Sequence, residues 1–280
     1  MNPLQRTLIE KAGHDNGFEY VLASEENDVT LASARHANRA LVGLEGGTYH
    51  VRFQTVSQSL LPELERSFPA TLLMANAFRI ATETDLAALL CRAASLSRAL
   101  PSQAENDYQQ AVASELAALP AGLAGTEIER LVRQRIGQDK FRDAMLDYWG
   151  GACAVTGVAI PEVLRASHAK PWAECETDAE RLDVFNGFLL SANLDALFDR
   201  FLISFDEQGV LVTAPALAGV DLQPLGISPD MKHAPTSSCC PMGLAAPGHF
   251  ARHETALDQC AAPAIPGNAS RRTVSMMALK

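Results

Sequence analysis

The order of hydrophobic and polar positions predicts helices and strands that alternate through the first hundred residues. Apolar side chains recur at helical spacing over residues 3–12, 60–68 and 85–100. Between these helices, short apolar runs separated by Asn, Glu and Gly turns predict strands. The runs are GFEYVLAS, NDVTLASA, RALVGLEG, TYHVRFQT and TLLMANAFRIAT. This succession predicts an α+β domain over residues 1–125.

A pair of helices is predicted to connect this domain to the rest of the chain. Residues 101–119 favour one helix, and the Pro/Gly-rich break PAGLAG follows it. Thr126 is predicted to cap the second helix, because Glu129 three residues later completes a capping box. The domain boundary is therefore placed near residue 125.

Two later segments carry polar groups at the ends of apolar runs. LRASH ends at His168, and Pro171 soon afterwards cannot continue a helix, so this run is predicted to be a strand. Asn186-Gly187 opens a second apolar run, FLL, as a turn into a strand would. Taken alone, a histidine in such a place is more often a hydrogen-bonded structural residue, and Asn-Gly is only a turn.

The segment over residues 192–200 favours a short helix that carries carboxylates. Its apolar positions have helical spacing, which leaves Asn193, Asp195 and Asp199 on the remaining surface. Such groups are more often solvated than functional. Their position after the two strands nevertheless predicts a small ββα unit, in which His168 faces one or two carboxylates in a nuclease-type site.

The remainder of the chain is predicted to be less regular. FLISF and VLVTA indicate a hairpin that turns at residues 206–209 and extends the small sheet. Residues 214–248 are rich in Pro, Ala, Gly and Ser, which is typical of irregular structure. Residues 249–257 favour a short final helix, and residues 261–280 are predicted to form a disordered tail.

The ordered blocks from Arg135 to Phe205 resemble the HNH endonucleases, specifically the branch at the C-terminal end of predicted restriction endonucleases. The blocks are RIGQDKFRDAMLDYWGGACAVTG, LRASHAKPW and NGFLLSANLDALFDRFLISF. The resemblance implies a C-terminal HNH (ββα-metal) nuclease domain, which we place at residues 126–260. It also implies hydrolysis of DNA phosphodiester bonds with a single divalent ion.

The resemblance also implies roles for individual residues. His168 matches the first position of the family motif and would be the general base. Asn186 matches the middle position, and Asp195 stands where the third position binds a metal. Ser167 occupies a place where the family often has a second metal-holding Asp or His. Asp199 or Asn193 is therefore left to complete the ligand set, directly or through water.

The ion implied by the resemblance is Mg²⁺ or Mn²⁺, and no structural zinc is expected. Mg²⁺ favours oxygen ligands and is usually held by only one or two carboxylates. The family often carries two Cys-x-x-Cys knuckles around zinc, but Cys153 is the single thiol at those four places. Tetrahedral zinc needs four ligands, so apolar packing is expected instead. The packing residues are Val155, Leu189, Leu190, Leu194 and Leu197.

The charge pattern indicates a local basic surface on an acidic protein. A net charge of −10 argues against a nonspecific nucleic-acid coat, because binding phosphates requires Lys and Arg. Cations nevertheless concentrate just before the motif. The candidates for DNA contact are Arg133, Arg135, Lys140, Arg142 and Lys170. A solvated helix face is the plainer interpretation of such a run, but its proximity to the motif favours DNA contact.

Hydropathy and cysteine usage predict a cytoplasmic protein with no membrane partner. No run approaches the roughly 18 apolar residues that a membrane-crossing helix needs, and the N-terminus lacks the apolar core of a signal peptide. The six cysteines show no framework spacing, which favours reduced thiols.

Two functions are compatible with these features. The first is a DNA endonuclease of restriction type, with a role in defence implied by the resemblance. Its N-terminal domain would recognise a sequence, a modified base or a signal. The second is a catalytically inactive HNH-fold DNA-binding or regulatory protein, consistent with Ser167 and the acidic charge. A single metal site cuts one strand at a time, so double-strand cleavage would favour a homodimer.

Overall fold

A computed structural model describes residues 1–22, 27–55, 57–73, 77–119, 125–206, 208–228 and 230–233. The structure combines antiparallel sheets with helices, and the predicted α+β class is confirmed. Buried apolar side chains of the N-terminal and C-terminal halves belong to one contiguous core. None of the helices in the described ranges is long and apolar enough to cross a bilayer.

The N-terminal half is built on a six-stranded antiparallel sheet with strand order β1-β2-β3-β4-β6-β5. The strands are β1 (Tyr20–Val21), β2 (Asp28–Ala32), β3 (Arg39–Glu45), β4 (Thr48–Gln54), β5 (Leu72–Leu73) and β6 (Ala77–Ile80). Gly46 and Gly47 both have positive φ, which allows the tight turn that joins β3 to β4. Alternate residues are buried, as the sequence pattern predicts for a sheet covered on one side.

Helices cover the buried side of this sheet and continue towards the C-terminal half. They are α1 (Pro3–Asp15), α2 (Leu60–Ser67), α3 (Glu83–Ala99), α4 (Pro101–Ala117) and α5 (Thr126–Tyr148). Helix α1 contacts β2 and α3, while α5 contacts both α3 and α4. Helix α5 also contacts the strands of the C-terminal half, so it lies between the two parts of the molecule.

The predicted N-terminal cap of α5 was wrong by one residue. Gly125 is the capping residue, its backbone is extended, and it has no side chain with which to bond the first turn. Thr126 is already the first helical residue. Because helical backbone begins at Thr126, its hydroxyl is not at the position from which a capping box forms.

The C-terminal half contains the predicted ββα unit. Strand β7 (Leu164–His168) pairs antiparallel with β8 (Gly187–Ser191), and α7 (Ala192–Phe198) contacts both strands. The loop between the strands carries the short helix α6 (Asp178–Arg181). The register sets His168 opposite Gly187, so the histidine lies where the second strand begins.

The hairpin after the ββα unit forms, but the prediction that it extends the small sheet was wrong. Strands β9 (Ile203–Phe205) and β10 (Leu211–Thr213) form a separate two-stranded sheet. Helix α7 directly follows β8, and the hairpin packs on the unit through side chains. The Phe205 and Phe188 ring centroids are 4.8 Å apart.

Apolar side chains fill the region where zinc knuckles would lie in the family. Leu189, Leu190 and Leu194 are fully buried, and Val155 and Leu197 pack against the same core. The predicted final helix at residues 249–257 and the tail at 261–280 lie outside the described residues.

Candidate active site

His168, the last residue of β7, is held in one orientation by three contacts. Its Nε2 donates to the Arg181 carbonyl oxygen at 2.8 Å, which leaves Nδ1 as the nitrogen able to accept a proton. The Phe141 ring from α5 stacks on the imidazole with centroids 3.8 Å apart, and the Trp172 ring meets it edge-on at 5.7 Å. Burial lowers the pKa of His168, so the imidazole is neutral near pH 7.

His168 lines a cavity of about 540 Å³ together with two carboxylates of the ββα unit, Asp195 and Asp199. The predicted convergence of the histidine and the helix carboxylates is thus present in the geometry. Two arginines, Arg142 and Arg165, also line the cavity. It therefore combines a proton acceptor, hard oxygen donors and cations that suit a phosphate.

Asp195 is oriented by the residue that precedes the histidine. Ser167 is buried, and its Oγ donates to Asp195 Oδ1 at 2.7 Å. In this structure Ser167 therefore supports the carboxylate through a hydrogen bond. Ser167 is not among the described residues that line the cavity, so it acts on the site through Asp195.

Asp199 follows α7 one turn after Asp195 and lies at the cavity rim. The pKa of Asp199 is raised, first because its carboxyl is partly removed from water and second because Asp195 is negatively charged. A cation between the two carboxylates would relieve this repulsion.

This donor set fits a hard divalent ion. In the described ranges, no group of three His, Cys, Asp or Glu side chains is arranged so that it could hold a metal ion by itself. Mg²⁺ does not require one, because one or two carboxylates, waters and substrate phosphates usually complete its shell. The oxygens of Asp195 and Asp199 would hold such an ion.

Asn186 ties the loop between the strands to the histidine strand. Its Oδ1 accepts from the Lys170 amide at 2.8 Å, and its Nδ2 donates to the Glu180 carbonyl at 3.2 Å. Its own carbonyl accepts from the Ala169 amide at 2.9 Å. Asn186 is buried and is not among the described residues that line the cavity. It therefore positions the loop next to His168.

Asn193 lies apart from the other predicted ligands. Its Nδ2 donates to the Leu225 carbonyl at 2.6 Å, and its Oδ1 accepts from Ser191 Oγ at 2.7 Å. The first contact connects the start of α7 to the segment after the hairpin, and the second lies within the start of α7 itself. Asn193 is not among the described residues at the cavity, so the structure does not bring it to Asp195 and Asp199.

The structure divides the predicted basic residues among different surroundings. Arg142 lies at the cavity, where its guanidinium donates to the Leu164 and Pro161 carbonyls at 2.6 Å each. Arg133 lines a second cavity, and Lys140 lines a third on the side of the N-terminal half. These three cations therefore lie at three different cavities.

The remaining two predicted cations have carboxylate partners. Arg135 pairs with Glu115 of α4 at 2.7 Å, and both side chains are largely exposed. Lys170 pairs with Glu180 at 2.5 Å, and only 12% of the lysine side chain is exposed. This burial makes Lys170 part of the loop's internal structure.

Several residues at the site carry no local sequence signal. Phe141 lies 27 positions before His168 in the chain, so its stacking depends on how α5 packs against β7. Arg181 fixes the imidazole through its main-chain carbonyl, which any residue type would provide. Arg165 could have been predicted, because alternation along β7 puts its side chain on the same face of the strand as Ser167, two residues later.

A ββα unit whose histidine and carboxylates share one cavity has the arrangement expected of a nuclease-type site. Comparison with known families supports this class, since residues 153–206 match the family described as HNH endonuclease. The C-terminal part of the chain contains an HNH-family domain. HNH nucleases act on DNA and generally use a divalent metal ion. No curated protein matches the chain.

Proposed function

We propose that this protein is a metal-dependent DNA endonuclease of restriction type, and that its C-terminal half cuts phosphodiester bonds. The observation that carries the proposal is the cavity shared by His168, Asp195 and Asp199. The match to the HNH endonuclease family over residues 153–206 supports the same chemistry.

In the proposed reaction, His168 Nδ1 takes a proton from the attacking water. Nε2 remains bonded to the Arg181 carbonyl, which stabilises the imidazolium that forms. Phe141 and Trp172 restrict ring rotation, so the nitrogen stays directed as the proton moves. Removal of the water's proton makes its oxygen a nucleophile for the phosphorus atom. As the new P–O bond forms, the P–O bond to the leaving oxygen breaks, and the leaving oxygen takes a proton from solvent water.

Charge on the phosphate must be balanced while the bond to the leaving oxygen breaks. Mg²⁺ or Mn²⁺, held by Asp195 and Asp199, would neutralise charge on the phosphate. Ser167 keeps the Asp195 carboxylate in place for this role. Arg142 and Arg165 add positive charge at the cavity wall, and the Arg142 guanidinium is fixed by two carbonyls.

The N-terminal half, residues 1–125, is proposed to recognise a DNA sequence, a modified base or a signal. Its sheet and helices form a folded platform that meets the nuclease half through α5. A single metal site cuts one strand at a time, so we propose a homodimer for double-strand cleavage. Size-exclusion chromatography tests this: a monomer that still makes double-strand breaks would contradict it.

A plasmid assay tests the enzyme itself. Purified protein is incubated with supercoiled plasmid and Mg²⁺ or Mn²⁺, beside His168→Ala and Asp195→Asn. We expect the wild type to cut and both variants to lose at least about a hundredfold in rate. His14→Ala and Asp221→Asn remove an exposed histidine and an exposed aspartate elsewhere and should keep full activity.

The outcomes separate the two candidate functions. Equal products from the wild type and His168→Ala would assign the cutting to a contaminant or to another site. A wild type that binds DNA yet cuts with neither ion, on plain, methylated or hydroxymethylated substrates, would favour an inactive DNA-binding protein.

A further inference from the structure

A second cavity lies next to the catalytic one and carries a different kind of lining. Its volume is about 460 Å³, and its walls hold three arginines and two aromatic side chains. The residues are Arg130 and Arg133 of α5, Arg181 of α6, Trp172 and Tyr108. Asp178 is the single acidic residue among the described lining residues. We name this site the arginine cleft.

Trp172 is the wall shared by the two cavities, because it lines both. One side of the indole meets His168, with ring centroids 5.7 Å apart. The Arg181 guanidinium lies over the same indole, 5.7 Å from its centroid. The arginine cleft is therefore one aromatic ring away from the proposed general base.

A glycine in α5 allows this position of the indole. Trp172 packs on α5 at Gly137, where a Cβ atom would lie 2.1 Å from Trp172 Cη2. Only glycine lets the ring approach the helix this closely.

Arg181 contributes to both sites. Its carbonyl accepts from His168 Nε2, while its side chain pairs with Asp178 at 2.9 Å. The short helix α6 thus fixes the distance between the histidine and the cleft.

The arginines of α5 are available to an external anion. Arg130 and Arg133 are 62% and 44% exposed, and their partners Glu127 and Glu129 are exposed residues of the same helix. Exposed helical ion pairs of this kind contribute only about 0.3–0.5 kcal/mol each. A phosphate can therefore replace the glutamates without a large loss of stability.

We propose that the arginine cleft binds the backbone phosphates of duplex DNA beside the bond that is cut. The inference rests on the proposed function, since it takes the occupant of the catalytic cavity to be DNA. Arg130 and Arg133 have only exposed helical partners, and Arg181 beside them is paired with Asp178, so the two α5 guanidiniums are the groups that suit phosphodiesters. A continuous strand leaving the catalytic cavity past Trp172 would reach them next.

A binding experiment separates the cleft from the chemistry. Fluorescent duplex DNA is titrated, without divalent metal, into full-length His168→Ala and into the same protein carrying Arg130→Gln and Arg133→Gln. We expect the dissociation constant to rise about tenfold or more, since each lost contact is a charged hydrogen bond. The slope of log affinity against log salt should fall by about two.

The matched control removes two exposed cations elsewhere. Lys11→Gln and Lys232→Gln change the net charge equally, and Lys11 also has a helical carboxylate partner, Asp15. We expect this control to change the dissociation constant by less than about twofold. Equal losses of DNA affinity in the two double variants, or an unchanged slope of log affinity against log salt, would contradict the proposal that the arginine cleft binds DNA.

Two further measurements make failure of the cleft distinct from failure of the enzyme. Trp172 and Trp149 are the two tryptophans of the chain, so Trp149→Phe makes Trp172 fluorescence a reporter of the cleft. DNA should quench it in the parent and much less in the Arg130→Gln, Arg133→Gln protein. Plasmid cutting by an Arg130→Gln, Arg133→Gln protein that keeps His168, together with unchanged DNA affinity, would refute the cleft alone. A selective loss of affinity in that variant, together with a wild type that never cuts, would refute the enzyme alone.

Discussion

Replacing Ser167 with alanine tests whether its hydroxyl supports the proposed metal ligand. The side chain is 2% exposed and donates to Asp195 Oδ1 at 2.7 Å, so Ser167→Ala leaves a carboxylate oxygen without its partner. A hydrogen bond to a charged group contributes about 1.5–3 kcal/mol. With a urea dependence of about 2 kcal/mol per M, the unfolding midpoint should fall by about 1 M.

Ser204→Ala is the matched control. Ser204 of β9 is also fully buried, but its hydroxyl finds no hydrogen-bond partner among the described residues. Removing an unsatisfied buried hydroxyl is expected to leave the free energy of unfolding unchanged or to raise it. The pair compares two serine-to-alanine changes that differ mainly in whether a hydrogen bond is lost.

Urea unfolding followed by tryptophan fluorescence measures the difference. Trp149 and Trp172 both lie close to the nuclease unit, so their signal reports unfolding of that region. Mn²⁺ titration by calorimetry adds a second observable, because a freely rotating Asp195 should bind the ion more weakly. Equal midpoints for Ser167→Ala and Ser204→Ala, with unchanged Mn²⁺ affinity, would refute the proposed support.

Three further predictions concern pH, charge and packing. The rate of single-turnover cleavage should fall as pH drops through the lowered pKa of His168, because protonation removes the base. Phe141→Leu should let water reach the imidazole, so the inflection in the plot of rate against pH should move up towards about 6.5. Asp199→Asn should weaken Mn²⁺ binding about tenfold by calorimetry while leaving the metal-free urea midpoint unchanged or higher, since it removes repulsion with Asp195. Glu63→Ala should lower the free energy of unfolding by about 3 kcal/mol in urea titrations, because the Glu63 carboxylate is fully buried and pairs with Arg66. The control Glu65→Ala should lower it by less than about 0.5 kcal/mol.

Local patterns in the sequence predicted the elements that carry the site. The short apolar runs in LRASH and FLL and the helical spacing after residue 192 are local signals, and the structure has β7, β8 and α7 at these places. The gathering of His168 with Asp195 and Asp199 followed from their order, because a ββα unit leaves few ways to arrange them.

Contacts between distant segments could not be predicted in this way. The stacking of Phe141 on His168 depends on the angle at which α5 crosses the strands, which no local pattern encodes. The seven-residue spacing of Arg135 and Arg142 puts both on one side of α5, yet one meets α4 and the other meets β7. Helical spacing gives a direction from the axis, while the neighbour met there depends on tertiary packing.

Helix α5 also has a consequence for how the protein can be shortened. It buries Phe141, Met145 and Tyr148 against elements on both sides, and the Tyr148 hydroxyl reaches Glu63 of α2 at 3.4 Å. A fragment that starts at Thr126 would keep the whole nuclease motif but leave part of this helix without its apolar cover. We expect such a fragment to aggregate, so a working truncation must retain α3 and α4 as the helix's support.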